Sequence, residues 1–242
     1  METTFCFDFG NTRLKCAVFN NRDFVEELVL EEATAASIEK LVTAYKPSKS
    51  ILSSVINHSP EIEAVLAKHT AFHKLGHNSK LPLTTPVGKP ETIGADRLAI
   101  CAAAVDLFPQ KHNLAIGLGT CITYNYINHL HEFLGGSISP GMHMRFRAMH
   151  EQTALLPLIK AETNFPLIGF DTKTNLLSGV ILGMAKEIDG IIDAYSLKFN
   201  NFNVLLTGGD MAFFVPHLKN KIFADPNLIY KGLYAISEYN NR

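Results

Sequence analysis

Apolar and polar positions alternate from Thr3 to Phe9 and again from Lys15 to Phe19. The turn Asn20-Asn21-Arg22-Asp23 then leads into a third run, Phe24 to Leu30. A period of two marks half-buried strands, so this region predicts a three-stranded meander. The period then changes. Ala33 to Tyr45 places Ile38, Leu41 and Val42 on one helical face, and Pro47 stops the helix before an apolar strand, Ser50 to Ile56. Pro60 opens a short helix, Glu61 to Lys68; Thr70-Ala71-Phe72 and Gly76 read as strand and turn, and His77 to Pro90 as loop. Asp96 to Phe108 is a helix that Pro109 terminates.

The pattern then begins again. Leu114 to Leu118, Cys121 to Ile127 and His131 to Leu134 read as three strands separated by Gly119-Thr120 and Asn128-His129. Sliding the chain on itself by 109 residues puts Gly10 on Gly119, Asn20 on His129 and Phe24 on Phe133, so turns fall on turns. An internal repeat of this kind governs the fold. Downstream, Pro140-Gly141 opens a helix to about Gln152, and Asn175 to Tyr195 is a long apolar-striped helix. The strand Asn203 to Leu206 runs into Thr207-Gly208-Gly209-Asp210, followed by a helix, a strand and a terminal helix. The predicted class is α/β, with two similar halves, 1–111 and 112–242, each a mixed sheet built on a meander with flanking helices.

Composition narrows the function. A chain of 242 residues, 47% hydrophobic, can bury a sizeable core. With 22 basic and 23 acidic residues there is no strong field to attract nucleic acid and no polybasic membrane patch. No apolar run approaches the ~20 residues of a membrane span, and no leader pattern is evident, so a cytoplasmic protein with small-molecule partners is expected. The four cysteines are dispersed without a CxxC spacing, as expected for buried reduced thiols. His69, His73 and His77 would line one face of a helix, as metal ligands can; their strand-and-turn surroundings favour a polar edge instead.

Four segments carry candidate chemistry. In Asp8-Phe9-Gly10-Asn11-Thr12-Arg13-Leu14-Lys15, a tight turn presents backbone amides, Thr12 adds a hydroxyl, and Lys15 returns on the next strand to meet phosphate charge. Asp8 offers a carboxylate to Mg²⁺, which needs only one or two beside substrate phosphates and water. Gly117-Leu118-Gly119-Thr120-Cys121-Ile122-Thr123 makes a second turn of similar character. In Thr207-Gly208-Gly209-Asp210 the glycines permit close approach of an adenine or ribose. In Gly94-Ala95-Asp96-Arg97, Asp96 can take a proton from a substrate hydroxyl while Arg97 grips a carboxylate. Each segment alone also reads as a plain hairpin, loop or helix start.

Together, in this order, the segments resemble the phosphate and adenosine segments of the actin-like ATPases. Asp8-Phe-Gly-Asn-Thr-x-x-Lys15, Gly94-Ala-Asp-Arg97, Gly119-Thr120, Gly135-Gly136-Ser-Ile-Ser-Pro140-Gly141, Thr153-Ala-Leu-Leu-Pro157, Ser178-Gly179 and Thr207-Gly-Gly-Asp210 are similar to the type III pantothenate kinases over nearly the whole chain. The resemblance implies two ribonuclease H-like domains, a homodimer, and ATP-dependent phosphorylation of pantothenate to 4′-phosphopantothenate, the first step towards coenzyme A. By the same resemblance Asp8 to Lys15 and Thr120 bind ATP, with Gly208 and Gly209 at the adenosine. Gly94, Ala95, Asp96 and Arg97 bind pantothenate, and Asp96 is the proton acceptor. Thr172 falls at a substrate-binding threonine, with Thr174 as a competing choice.

Three positions depart from the family pattern. Gly117 stands where an aspartate usually binds a monovalent cation, potassium or ammonium; Asn125 replaces a second aspartate; and Val87 replaces a substrate-contacting tyrosine. Two alternatives stay open on the sequence: a kinase for another small hydroxy acid, and a non-catalytic ATP-binding regulator.

Overall fold

The computed structural model describes residues 2–241. The chain folds as two compact units, Met1–Gln110 with Ile127–Leu134 and Asn227–Arg242, and Lys111–Tyr126 with Gly135–Pro226. Relative to a cut at residue 111/112, the last helix and the tip of the second meander belong with the first unit.

The first unit begins with β1 (Thr3–Phe9), β2 (Leu14–Asn20) and β3 (Asp23–Leu30), followed by α1 (Ala35–Tyr45), β4 (Lys49–Ser54), α2 (Pro60–His69), β5 (Ala71–Lys74) and α3 (Ala95–Leu107). The sheet order is β3-β2-β1-β4-β5: antiparallel within the meander, parallel from β1 through β4 to β5. On one face Phe5, Phe7, Phe9, Cys16, Val18 and Leu52 pack against Ile38 and Val42 of α1 and Ile62 and Leu66 of α2. Thr34 caps α1 through a reciprocal bond with Ser37, and Ser59 with Pro60 opens α2.

On the other face β1 and β4 pack against α7 (Leu228–Asn240), which also packs along α3. Gly232 sets the closeness of the two helices, because an alanine Cβ there would run into the Ala99 carbonyl. Gly232→Ala is therefore expected to destabilise the first unit by about 1–3 kcal/mol through overpacking, offset in part by better helix propensity. A thermal melt checks this; an unchanged midpoint would mean that the helices part freely.

The second unit holds β6 (His112–Leu118), β7 (Cys121–Ile127), β8 (Phe133–Pro140), α4 (Met142–Glu151), α5 (Thr172–Lys198), β9 (Phe202–Thr207), α6 (Met211–Phe214) and β10 (Phe223–Ala224). Its sheet order, β10-β9-β6-β7-β8, repeats the first when read from the meander edge, and β6–β9 and β9–β10 are parallel. Two mixed five-stranded sheets with flanking helices are the ribonuclease H-like arrangement. Leu114, Ile116, Ile122 and Tyr124 form a core with Met142 and Phe146 of α4, Ile181, Met184 and Ile188 of α5, and Leu206 of β9.

Among the boundaries that differ from the sequence expectation, two have a clear local cause. β8 continues through Gly135-Gly136 to Pro140, where the glycines suit a strand passing so close to the Tyr124 carbonyl that residue 136 has no room for a Cβ. α5 starts at Thr172 because Asp171 caps it. No helix among the described residues is long and apolar enough to cross a membrane.

Candidate active site

In the first unit the sheet register brings the polar groups together. Asp8 aligns with Lys15 on β2 and with Ser53 on β4. Aligned residues on adjacent strands project to one face, here the face opposite the phenylalanine core. The Lys15 ammonium donates to Glu27 Oε2 at 2.9 Å, and the Tyr230 hydroxyl of α7 donates to the same oxygen at 2.7 Å. Ser53 Oγ is buried and has no hydrogen-bond partner among the described residues.

The β1–β2 turn is closed by the Gly10 amide donating to the Arg13 carbonyl at 3.1 Å, leaving Asn11, Thr12 and Arg13 exposed. The Val55 amide donates to the Phe9 carbonyl at 3.0 Å and ties the loop after β4 to the same edge. Ala95, Asp96 and Arg97 form the first turn of α3, with Gly94 as its N-cap. A side chain at 94 would meet the Asp96 carboxylate, so glycine lets that carboxylate fold back over the helix start. The Arg97 guanidinium lies 5.5 Å from the centre of the Phe133 ring.

Asp96 is near enough to Asp8 for its charge to be felt. Burial pushes the Asp8 carboxyl up to about 7, the charges of Asp96 and Glu27 push the same way, and Lys15 opposes them. A buried carboxyl raised in this way beside other carboxylates gains from a cation, so the donor set fits a single magnesium carried mainly by phosphate oxygens and water.

The second unit gathers its own cluster on the β6–β7 turn. The Gly141 amide, at the start of α4, donates to the Thr120 carbonyl at 3.0 Å, and the Asp210 amide donates to the Leu118 carbonyl at 3.2 Å. Gly208, at φ +105°, packs so tightly on the Leu118 backbone that no other residue fits. Gly119, Thr120 and Gly209 are exposed there, and His143 Nε2 stands 3.9 Å from Asp210 Oδ1. Burial raises the Asp210 carboxyl, and His143 partly offsets that.

Gly117 is buried, with Thr207 as its register partner on β9; Thr207 Oγ1, like Ser53 Oγ, is buried without a partner among the described residues. The Asn125 amide group donates to the Ala115 carbonyl at 3.0 Å. With no carboxylate at 117 and the Asn125 nitrogen turned to a carbonyl, these residues do not fit a cation bound by acidic side chains.

Thr172, exposed, opens α5 on a separate segment of this unit. Thr174 is committed to the cap: its amide and hydroxyl both donate to Asp171 Oδ1 at 2.7 Å. The spaced histidines are placed apart in secondary structure, His69 bonded to Glu39 at 2.9 Å and His73 to Ser79 at 2.7 Å. Sequence reasoning missed Glu27, Ser53, His143 and Tyr230, which gain meaning only through register and packing.

The sequence pattern that defines type III pantothenate kinases matches residues 4–194. A type III pantothenate kinase of Christiangramia forsetii is 40% identical over 235 residues, covering 96% of this chain and 97% of the relative. One from Bacteroides fragilis is 40% identical, covering 97% of each. Among solved structures, a Baf family protein from Campylobacter jejuni superposes with a TM-score of 0.60 at 20% identity over 98% of each chain, a likeness of fold. With the family pattern matching residues 4–194 and relatives 40% identical over nearly the full length of each chain, the chain belongs to the type III pantothenate kinase family.

Proposed function

We propose that the protein transfers the γ-phosphoryl group of ATP to the primary hydroxyl of pantothenate, giving 4′-phosphopantothenate. The observation that carries this reading is the placing, in one unit, of Asp8 in register with Lys15 and of Asp96, in the first turn of α3, near enough for its charge to act on Asp8. Phosphoryl transfer requires positioning and charge stabilisation more than covalent chemistry, and these groups supply both.

In this reading the exposed turn Gly10–Arg13 holds ATP phosphates, with Phe9 and Leu14 fixing its stems, and Lys15 offsets charge that develops on the transferring group. Asp8 would hold a magnesium ion, which when bound would supply further charge neutralisation at the ATP phosphates. Asp96 accepts the hydroxyl proton. Arg97 pairs with the pantothenate carboxylate, and Gly94 and Ala95 line the acceptor. Thr120, Gly208 and Gly209 are the further ATP contacts that the family resemblance implies. Thr172 rather than Thr174 takes the substrate role, since the Thr174 hydroxyl is already used in the helix cap.

We further propose a cytoplasmic homodimer. The segment before α5 exposes Leu155 at 92%, Leu167 at 77%, Ile168 at 82% and Phe170 at 80%, more apolar surface than a short stretch usually shows to water.

The test is a steady-state assay with ATP, Mg²⁺ and pantothenate in sodium, potassium or ammonium salts. Phosphopantothenate should form, and at similar rates in all three, because residue 117 has no carboxylate for a monovalent ion. No product under any condition removes the kinase reading. Strict dependence on potassium or ammonium removes only the expectation of cation indifference.

A further inference from the structure

We propose that Glu27 and Tyr230 are positioning residues for Lys15, holding its ammonium on the Asp8 face of the sheet; the inference rests on the kinase reading above. A lysine side chain is long and flexible, and its charge acts at a phosphate only where something orders it. Glu27 Oε2 does so at 2.9 Å, occupying one of three Nζ–H donors and leaving two for phosphate oxygens.

A half-exposed ion pair alone would be a weak anchor. Here the side chains of Lys15 and Glu27 are 23% and 30% exposed, but a third group fixes the pair. Tyr230 is 1% exposed, stacked on Phe24 with ring centres 6.4 Å apart, and its hydroxyl reaches the same Glu27 oxygen at 2.7 Å. Packing alone would be served by phenylalanine; the added hydroxyl serves the carboxylate.

The electrostatics agree with this geometry. Burial pushes the Glu27 carboxyl up, but hydrogen bonds from Lys15 and Tyr230, with the charges of Lys15 and Arg13, outweigh it and keep the group ionised. Burial, reinforced by Glu27, raises the Tyr230 hydroxyl, which keeps it a donor. Glu27 thus balances the two cations that flank the phosphate turn. Tyr230 lies beyond residue 194, where the family pattern stops matching, so the anchor comes from a part of the chain to which that pattern assigns nothing.

The experiment is a double-mutant cycle on the full chain, with ATP varied at saturating pantothenate and the reverse. Glu27→Ala should lower kcat/KM for ATP by about ten- to hundredfold, the size of one charge-assisted hydrogen bond, and leave the pantothenate KM unchanged. Tyr230→Phe should lower it by about three- to tenfold, as for a neutral bond. Glu27→Gln should fall between wild type and Glu27→Ala. In a Lys15→Ala background none of the three should lower it further.

Losses that persist in full without Lys15, that fall on pantothenate, or that are missing from a folded variant overturn the proposal. If Glu27→Ala proves too unstable to assay, the Glu27→Gln and Tyr230→Phe cycles decide. If wild type yields no phosphopantothenate, the kinase reading fails. The same cycles on calorimetric ATP affinity then decide this one: an affinity loss that vanishes without Lys15 supports it, and one that persists overturns it.

Discussion

Asparagine at position 96 is expected to lower kcat by about a hundred- to ten-thousandfold, the usual contribution of a positioned general base. The fold should hardly notice. Gly94, not Asp96, is the N-cap of α3, and a carboxylate in a first helical turn is worth about 0.3–1 kcal/mol through the helix dipole. A melt should therefore show a small shift beside a large loss of turnover. ATP affinity should survive, because the change removes a negative charge near the phosphate turn. A folded Asp96→Asn variant with kcat close to wild type would remove Asp96 from the reaction.

The second large effect belongs to Asp8. Asp8→Asn should reduce turnover by about two orders of magnitude or more, since a metal-directed carboxylate is lost from the phosphates. The pH dependence adds a check. The Asp8 carboxyl is raised from 3.8 to about 7, so the free protein holds this proton until near-neutral pH. kcat/KM for ATP should therefore fall as pH drops below about 7.

The effect on stability runs the other way. Below 3.8 the group is protonated folded or unfolded; between 3.8 and about 7 the unfolded chain gives up the proton first, so stability declines as pH rises through that window. Asp8→Asn should remove this decline, making the inactive variant more stable than wild type at neutral pH and similar at low pH. Near-normal activity, or a variant less stable at neutral pH, would contradict the assignment.

Much of this was legible because it is local. The alternation Thr3 to Phe9 gave β1, and the tight turn after it placed Asp8 opposite Lys15 without knowledge of the rest of the chain. The sheet repeat was visible because Gly10 and Gly119 punctuate equivalent hairpins. What failed depended on close approach or on distance. Gly135-Gly136 looks like an interruption, but the second glycine is a strand residue pressed against the Tyr124 carbonyl. The start of α5 was placed late because a capping box made of Asp171 and Thr174 uses threonine where glutamate is the usual signal. Glu27 could not be assigned from its strand: a register shift at Val18/Phe19 decides which β3 residues lie near Lys15, and Tyr230 is 203 residues away in sequence.

The discontinuity of the first unit bears on the timing of its synthesis. Its sheet is complete at β5, yet one of the two helices covering the Asp8 face, Leu228–Asn240, comes only after the second unit in the chain. A nascent chain that has already paired β1 through β5 still lacks the α7 partner of β1 and β4 until the residues of the second unit have been made. Domains that can fold during synthesis usually do so N-terminal first. Here the first unit must wait, partly formed, with one sheet face uncovered, and the Tyr230 hydroxyl reaches Glu27 beside Lys15 only after the second unit has been synthesised.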